Sequence, residues 1–145
     1  IFTKFDEFCE EFEVEKIKTI GDAYMLASGV PRFDPNHAVK TVRIALRMLS
    51  FLKDHPKVDS FKLSLRIGIH SGPVIAGVIG KKKFIYDLWG DTVNTAARME
   101  SHGIPDCIHL TEETALLLSG TFNLLKRPAL QVKGKGKMDT FLIGS

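Results

Sequence analysis

Leu63, Leu65, Ile67 and Ile69 stand at every second position and alternate with Lys62, Ser64 and Arg66. A period of two sends one set of side chains to each face of an extended chain, so this segment predicts a strand with one buried face. A strand of that kind needs neighbouring strands and a covering layer before its apolar face leaves water. Ser71-Gly72-Pro73 turns the chain after it. The run Val74-Ile75-Ala76-Gly77-Val78-Ile79 is apolar throughout, the pattern of a strand covered on both faces, and it is expected to pair back as a hairpin.

The covering layer has a different period. Phe2, Phe5, Phe8 and Phe12 recur at helical spacing. So do Val39, Val42, Leu46, Leu49 and Leu52, with Lys40, Arg43, Arg47 and Lys53 on the opposite face. A further helix is expected from about Thr92 to Ser101, ended by Gly103 and Pro105. Between the first two helices, Lys16–Ile20 and Ala23–Ala27 read as short strands joined at Gly21-Asp22, which puts Asp22 at a hairpin tip. Pro31, Pro35 and Asn36 close that unit, and Lys81-Lys82-Lys83 forms an exposed loop. Cys107–Leu110 reads as extended, and Thr111-Glu112-Glu113-Thr114 caps a short helix running to Leu118. Leu130–Val132 and Thr140–Ile143, flanking Gly134 and Gly136, form a final strand pair. The order predicts an α+β (α/β) sandwich with helices on one face of a largely antiparallel sheet.

A length of 145 residues with 44% hydrophobic content suits one domain with one core. The formal charge of +3, from 20 Lys and Arg against 17 Asp and Glu, is too mild to demand a nucleic-acid partner. Cys9 and Cys107 are far apart and match neither a disulfide framework nor a zinc spacing, which fits a reducing, cytoplasmic setting. No apolar stretch approaches the ~20 residues that cross a bilayer. The chain opens at Ile1 without a methionine and already inside a helical pattern. That reads as a segment of a longer protein, whose membrane spans or sensor domains would lie outside it.

Four segments carry a resemblance. They are Lys16-Ile17-Lys18-Thr19-Ile20-Gly21-Asp22-Ala23-Tyr24-Met25, Arg66 to Gly77, Tyr86-Asp87-Leu88-Trp89-Gly90-Asp91-Thr92-Val93-Asn94-Thr95-Ala96-Ala97-Arg98-Met99-Glu100, and Val132-Lys133-Gly134-Lys135-Gly136. In this order they resemble the signature segments of class III adenylate and guanylate cyclase catalytic domains over essentially the whole chain. The resemblance implies a ferredoxin-like cyclase core whose N-terminal strand precedes this segment. It also implies a homodimer with active sites at the interface, and two Mg²⁺ (or Mn²⁺) ions held by two aspartates. Asp22 matches the second aspartate, and the first belongs to the preceding strand. Mg²⁺ favours carboxylate and phosphate oxygens, which a hairpin tip can bring together.

By the same resemblance, Asn94 orients the ribose and Arg98 stabilises charge on the α-phosphate. Their spacing of four on a helix puts both on one face. Lys133 matches the lysine on the distal phosphates, with Lys135 a second candidate. Its loop is no Walker motif, because the spacing and the Ser or Thr after Lys are absent. At the two base-reading positions adenylate cyclases carry Lys and Asp, and guanylate cyclases usually Glu and Cys; this sequence has Lys18 and Asp87. A Lys donor suits adenine N1 and a carboxylate suits its exocyclic amine, whereas guanine presents the opposite edge. The expected substrate is therefore ATP, closed to 3′,5′-cyclic AMP with release of pyrophosphate. His70 is expected to be a hydrogen-bonded structural residue and Trp89 to pack under the following helix. The alternatives are a guanylate cyclase using GTP, a non-catalytic dimerisation domain of the same fold, and a nucleic-acid-binding sandwich using the lysine loops. The last lacks an evident row of stacking aromatics.

Overall fold

The computed structural model describes residues 1–55, 61–118 and 120–144. Helix α1 (Phe2–Phe12) leads into the hairpin β1 (Glu15–Ile20) and β2 (Ala23–Ala27), followed by the long helix α2 (His37–Asp54). Strand β3 (Ile67–Ile69) precedes a second hairpin, β4 (Ile75–Ile79) and β5 (Ile85–Trp89), and then α3 (Asp91–Ser101). Strand β6 (Cys107–Thr111), the short α4 (Glu112–Leu117), β7 (Leu125–Val132) and β8 (Gly136–Gly144) complete the chain. The result is the expected α+β architecture. Its main sheet runs β3-β6-β8-β7, with β3 parallel to β6 and the other two pairings antiparallel. The two hairpins form their own ladders, each antiparallel.

Helix α2 is buried on two sides, more than its one apolar stripe indicated. Ala38, Val42, Ala45 and Leu49 meet Ile69, Ile108, Leu110, Leu118 and Ile143 of the sheet side. Ile44 and Met48 meet Phe5, Phe8, Cys9 and Val14 around α1. The aromatic repeat of α1 explains the second cluster, since Phe5 and Phe8 also meet the Phe51 ring edge-on. Arg47 remains exposed yet covers the Phe8 ring, its guanidinium carbon 4.5 Å from the centroid.

Three expectations need correction. The alternating segment 62–69 forms a strand only at Ile67–Ile69. β3 is an edge strand, and just before it the Leu65 backbone turns to Asp106, accepting from its amide at 2.8 Å and donating to its Oδ1 at 3.2 Å. The apolar run 74–79 is not covered on both faces, because Ile75 is 69% and Val78 63% exposed. Its strand pairs forward with β5, and among the described residues no other strand flanks it. Trp89 does not pack under α3; it is 41% exposed and lies across the ladder beside Gly77, where an added Cβ would come 3.2 Å from its ring. The expected Thr111 cap is present, its side chain accepting from the Thr114 amide.

Gly68 is where α3 lies on the sheet. A Cβ there would overlap the Glu100 amide nitrogen and come 2.6 Å from the Ala96 carbonyl oxygen, so the helix backbone rests directly on β3. Met99 and Thr95 point down from that helix and are buried. Gly68→Ala therefore forces α3 off β3, at an expected cost of about 1–3 kcal/mol. The urea midpoint should fall with an unchanged slope; an unchanged midpoint would show that the contact is not tight.

Candidate active site

The candidate residues come from separate elements: Lys18 from β1, Asp87 from β5, Asn94 and Arg98 from α3, Lys133 from the turn after β7, and Asp22 from the tip between β1 and β2. In β1 the register with β2 slips between Lys16 and Lys18, leaving Ile17 as an extra residue. Two residues apart in a regular strand, both lysines would share a face; one inserted residue reverses that parity. Lys16 reaches back to Asp6 of α1 at 3.0 Å, and Lys18 reaches Asp87 Oδ2 of β5 at 2.9 Å. The bulge thus aims Lys18 across the gap between the two hairpins.

Asp87 is 6% exposed. Its Oδ2 takes the Lys18 ammonium and its Oδ1 accepts from the Leu88 amide at 2.8 Å. The Lys18 hydrogen bond, followed by that of Leu88, holds the carboxyl below the usual carboxylate range against the opposing effect of burial. The structure therefore brings together the two sequence-predicted base-reading residues, 69 positions apart.

Asn94 and Arg98 are both exposed on the outer face of α3, while Thr95 and Met99 occupy its buried face. Arg98 lies free for a ligand on that face and joins no salt bridge among the described residues. Asp22 is exposed at the tip of the first hairpin, where Gly21 supplies the positive φ of 56°. Among the described residues, no three His, Cys, Asp or Glu side chains gather to hold a metal ion. Asp22 is a single carboxylate and does not by itself compose a two-metal site.

Lys133 is exposed at the start of the turn joining β7 and β8. Lys135 follows between Gly134 and Gly136, both at positive φ, and its ammonium pairs with Asp91 in the first turn of α3. That contact links the β7–β8 turn to the helix carrying Asn94 and Arg98. The Thr92 hydroxyl donates to the Pro73 carbonyl at 2.6 Å and fixes the same helix end. Sequence reasoning ranked Lys135 second and gave Asp91 and Thr92 no separate role. The signal for Lys135 was its place between two glycines. His70 is hydrogen-bonded as expected, its Nδ1 2.7 Å from Thr111 Oγ1.

A carboxylate beside an ammonium at one end, a paired amide and guanidinium on a helix face, and a lysine-bearing glycine turn together suit a nucleotide with its phosphates. The chain matches the adenylate and guanylate cyclase catalytic domain family over residues 1–145 and belongs to it. It is 46% identical over 147 residues to the guanylate cyclase soluble subunit beta-2 of Rattus norvegicus, covering 99% of this chain and 21% of that protein. The chain thus spans about a fifth of that relative's length. Among solved structures, it is similar to the guanylate cyclase domain of RhGC from Catenaria anguillulae in complex with GTP (38% identity, TM-score 0.93, covering 99% of this chain and 79% of that one). It is also similar to the catalytic core of a rhodopsin-guanylyl cyclase with converted specificity in complex with ATPalphaS (39%, TM-score 0.92, 99% and 78%).

Because the Asp87 carboxyl is lowered in the folded chain, the pair contributes stability above the ordinary value of 3.8 and loses it as pH falls through the folded value. The Asp87 carboxyl followed by carbon NMR should have a midpoint below 3.8, and Lys18→Met should raise it. A midpoint indifferent to Lys18 would mean that the two side chains do not meet in solution.

Proposed function

We propose that this domain converts ATP to 3′,5′-cyclic AMP and pyrophosphate, in an active site shared across a homodimer. The observation that carries the reading is the Lys18–Asp87 pair at 2.9 Å. Without a base, the two groups satisfy each other, as a buried carboxylate requires. Adenine offers N1 as an acceptor and its amine as a donor, so its edge can replace the mutual bond with one bond to each side chain. Guanine offers a donor at N1 and an acceptor at O6, leaving both side chains opposed.

GTP is the second reading, and the comparisons favour it. Curated relatives sharing 44–46% identity with the chain are named as guanylate cyclases, and the RhGC domain was solved with GTP. Identity, however, accumulates over the whole domain, whereas base choice depends on the few groups at the purine edge. The guanylyl cyclase with converted specificity was solved with ATPalphaS, so in that relative family descent and purine choice have parted. Lys18 and Asp87 are what supports ATP for this chain.

In the reaction, Asn94 holds the ribose so that its 3′ oxygen faces the α-phosphorus, and Arg98 stabilises the charge that builds on the phosphate during attack. Arg98 suits this role because its guanidinium is planar and permanently charged. Lys133 takes the distal phosphates of the leaving pyrophosphate. No covalent intermediate on the enzyme is required. The Mg²⁺ or Mn²⁺ pair implied by the resemblance would find one carboxylate here, Asp22.

Two features support a second copy as the partner. One chain carries both Asp22 and the Asn94–Arg98 pair, so neither subunit need be degenerate. The hairpin of β4 and β5 also exposes Ile75, Val78, Phe84 and Ile85 by 53–74%, an apolar surface suited to burial. A domain that merely associates would have no use for the charged pair inside the gap. No described helix is long and apolar enough to cross a membrane. Any anchoring of the parent protein would therefore involve other segments, and a cytoplasmic location for this domain remains part of the proposal.

The test is a change of purine preference. Lys18→Glu with Asp87→Cys removes the adenine-type donor and acceptor and places an acceptor before the guanine donors. The ratio of kcat/KM for ATP over GTP should fall by at least about 10²-fold, or roughly 2.7 kcal/mol of differential transition-state binding. An active double variant that kept its full ATP preference would contradict the base assignment, and a wild-type preference for GTP would establish the second reading.

A further inference from the structure

His109 is fully buried in β6, and both of its ring nitrogens have partners from other elements. Nδ1 lies 2.7 Å from the Met99 carbonyl of α3. A carbonyl can only accept, so Nδ1 carries the proton and donates. Nε2 is then the acceptor, 2.8 Å from the Thr140 hydroxyl of β8. Arg127 of β7 stands 3.4 Å from the same Nε2 and donates to the His102 carbonyl at 2.7 Å.

The last carbonyls of an α-helix lack partners within the helix. At the end of α3 the sheet supplies two donors, the imidazole of His109 to Met99 and the guanidinium of Arg127 to His102. An apolar residue at position 109 would strand the Met99 carbonyl in the interior. Burial keeps the imidazole below the usual histidine pKa, outweighing the Met99 hydrogen bond, with the Arg127 and His102 charges acting in the same direction as burial. The neutral, Nδ1-protonated form is thus the one the fold holds.

Met99 follows Arg98 directly, and α3 rests on Gly68 without an intervening side chain. A bond to this carbonyl, beside Arg98, therefore adds a restraint on the rotation of the helix about its line of contact. We propose that His109 is a positioning residue for the cyclase reaction, its Nδ1–H gripping the Met99 carbonyl and so fixing the face of α3 that presents Asn94 and Arg98. The inference rests on the function proposed above for those two residues. It extends that function to a side chain that touches no substrate. Misplacing a reacting group by about 1 Å can cost on the order of 10²-fold in rate, so a grip this close to Arg98 has leverage.

Two substitutions separate the ring nitrogens. His109→Asn keeps an amide donor near the Nδ1 position, whereas His109→Gln puts its amide near Nε2 and leaves Met99 unpaired. In the full-length protein, kcat, KM and amide hydrogen exchange along α3 are measured for both. The Gln variant should lose about tenfold or more in kcat with KM within about twofold, the pattern of a transition-state effect. It should also exchange faster in the last turn of α3 than in β7 and β8. The Asn variant should recover most of both properties. Equal losses in the two variants, or α3 exchange in the Gln variant that only follows the sheet, would overturn the inference. Thr140→Val serves if either variant fails to fold: it removes the Nε2 partner alone and should leave kcat and α3 exchange near wild type, and a loss as large as tenfold would overturn the inference. A wild-type protein that cyclises no nucleotide would sink the proposed function, while the exchange pattern would still decide the grip.

Discussion

The direct rest of α3 on Gly68 is the constraint from which the site follows. With no Cβ between them, helix and strand meet backbone to backbone, and every side chain on α3 has its direction set by that line of contact. Thr95 and Met99 face down and are buried; Asn94 and Arg98, one residue earlier in each case, face out. The helix ends are fixed by different means. Asp91 and Thr92 hold the first turn to the β7–β8 turn and to Pro73, and His109 and Arg127 hold the last.

The second constraint is electrostatic and joins two hairpins that share no ladder. Lys18 and Asp87 face each other at 2.9 Å just past the extra residue that β1 carries at Ile17. A buried carboxylate without a partner would be costly, so the Lys18 ammonium is what Asp87 requires between the two hairpins. The nearby apolar surface of β4 and β5 is left to be covered by something else, and a second copy of the chain is the proposed cover.

Much of this was legible in the sequence, for identifiable reasons. The Phe2–Phe12 repeat, the α2 stripe and the Thr111 cap are local patterns, and each formed where expected. The Asn94–Arg98 face was readable because helix geometry fixes what lies four residues apart. The length of β3 was misread because periodicity records which residues can be extended, not where a neighbouring strand ends. An unbroken apolar run suggested two covered faces for β4, although the same pattern arises when a strand awaits cover from outside its own chain. The meeting of Lys18 with Asp87 was anticipated through family resemblance, and the bulge that produces it had no local signal. His109 carries no local sequence signal because its partners lie 10 and 31 residues away.

The central claim is that the Lys18–Asp87 pair opens to read a purine edge. The most direct measurement is a structure of the protein with a non-cyclisable ATP analogue. The account predicts that the 2.9 Å bond between the two side chains is broken, with Lys18 Nζ on the adenine N1 and Asp87 Oδ2 accepting from the exocyclic amine. An adenine bound elsewhere, with the Lys18–Asp87 bond intact, would contradict it.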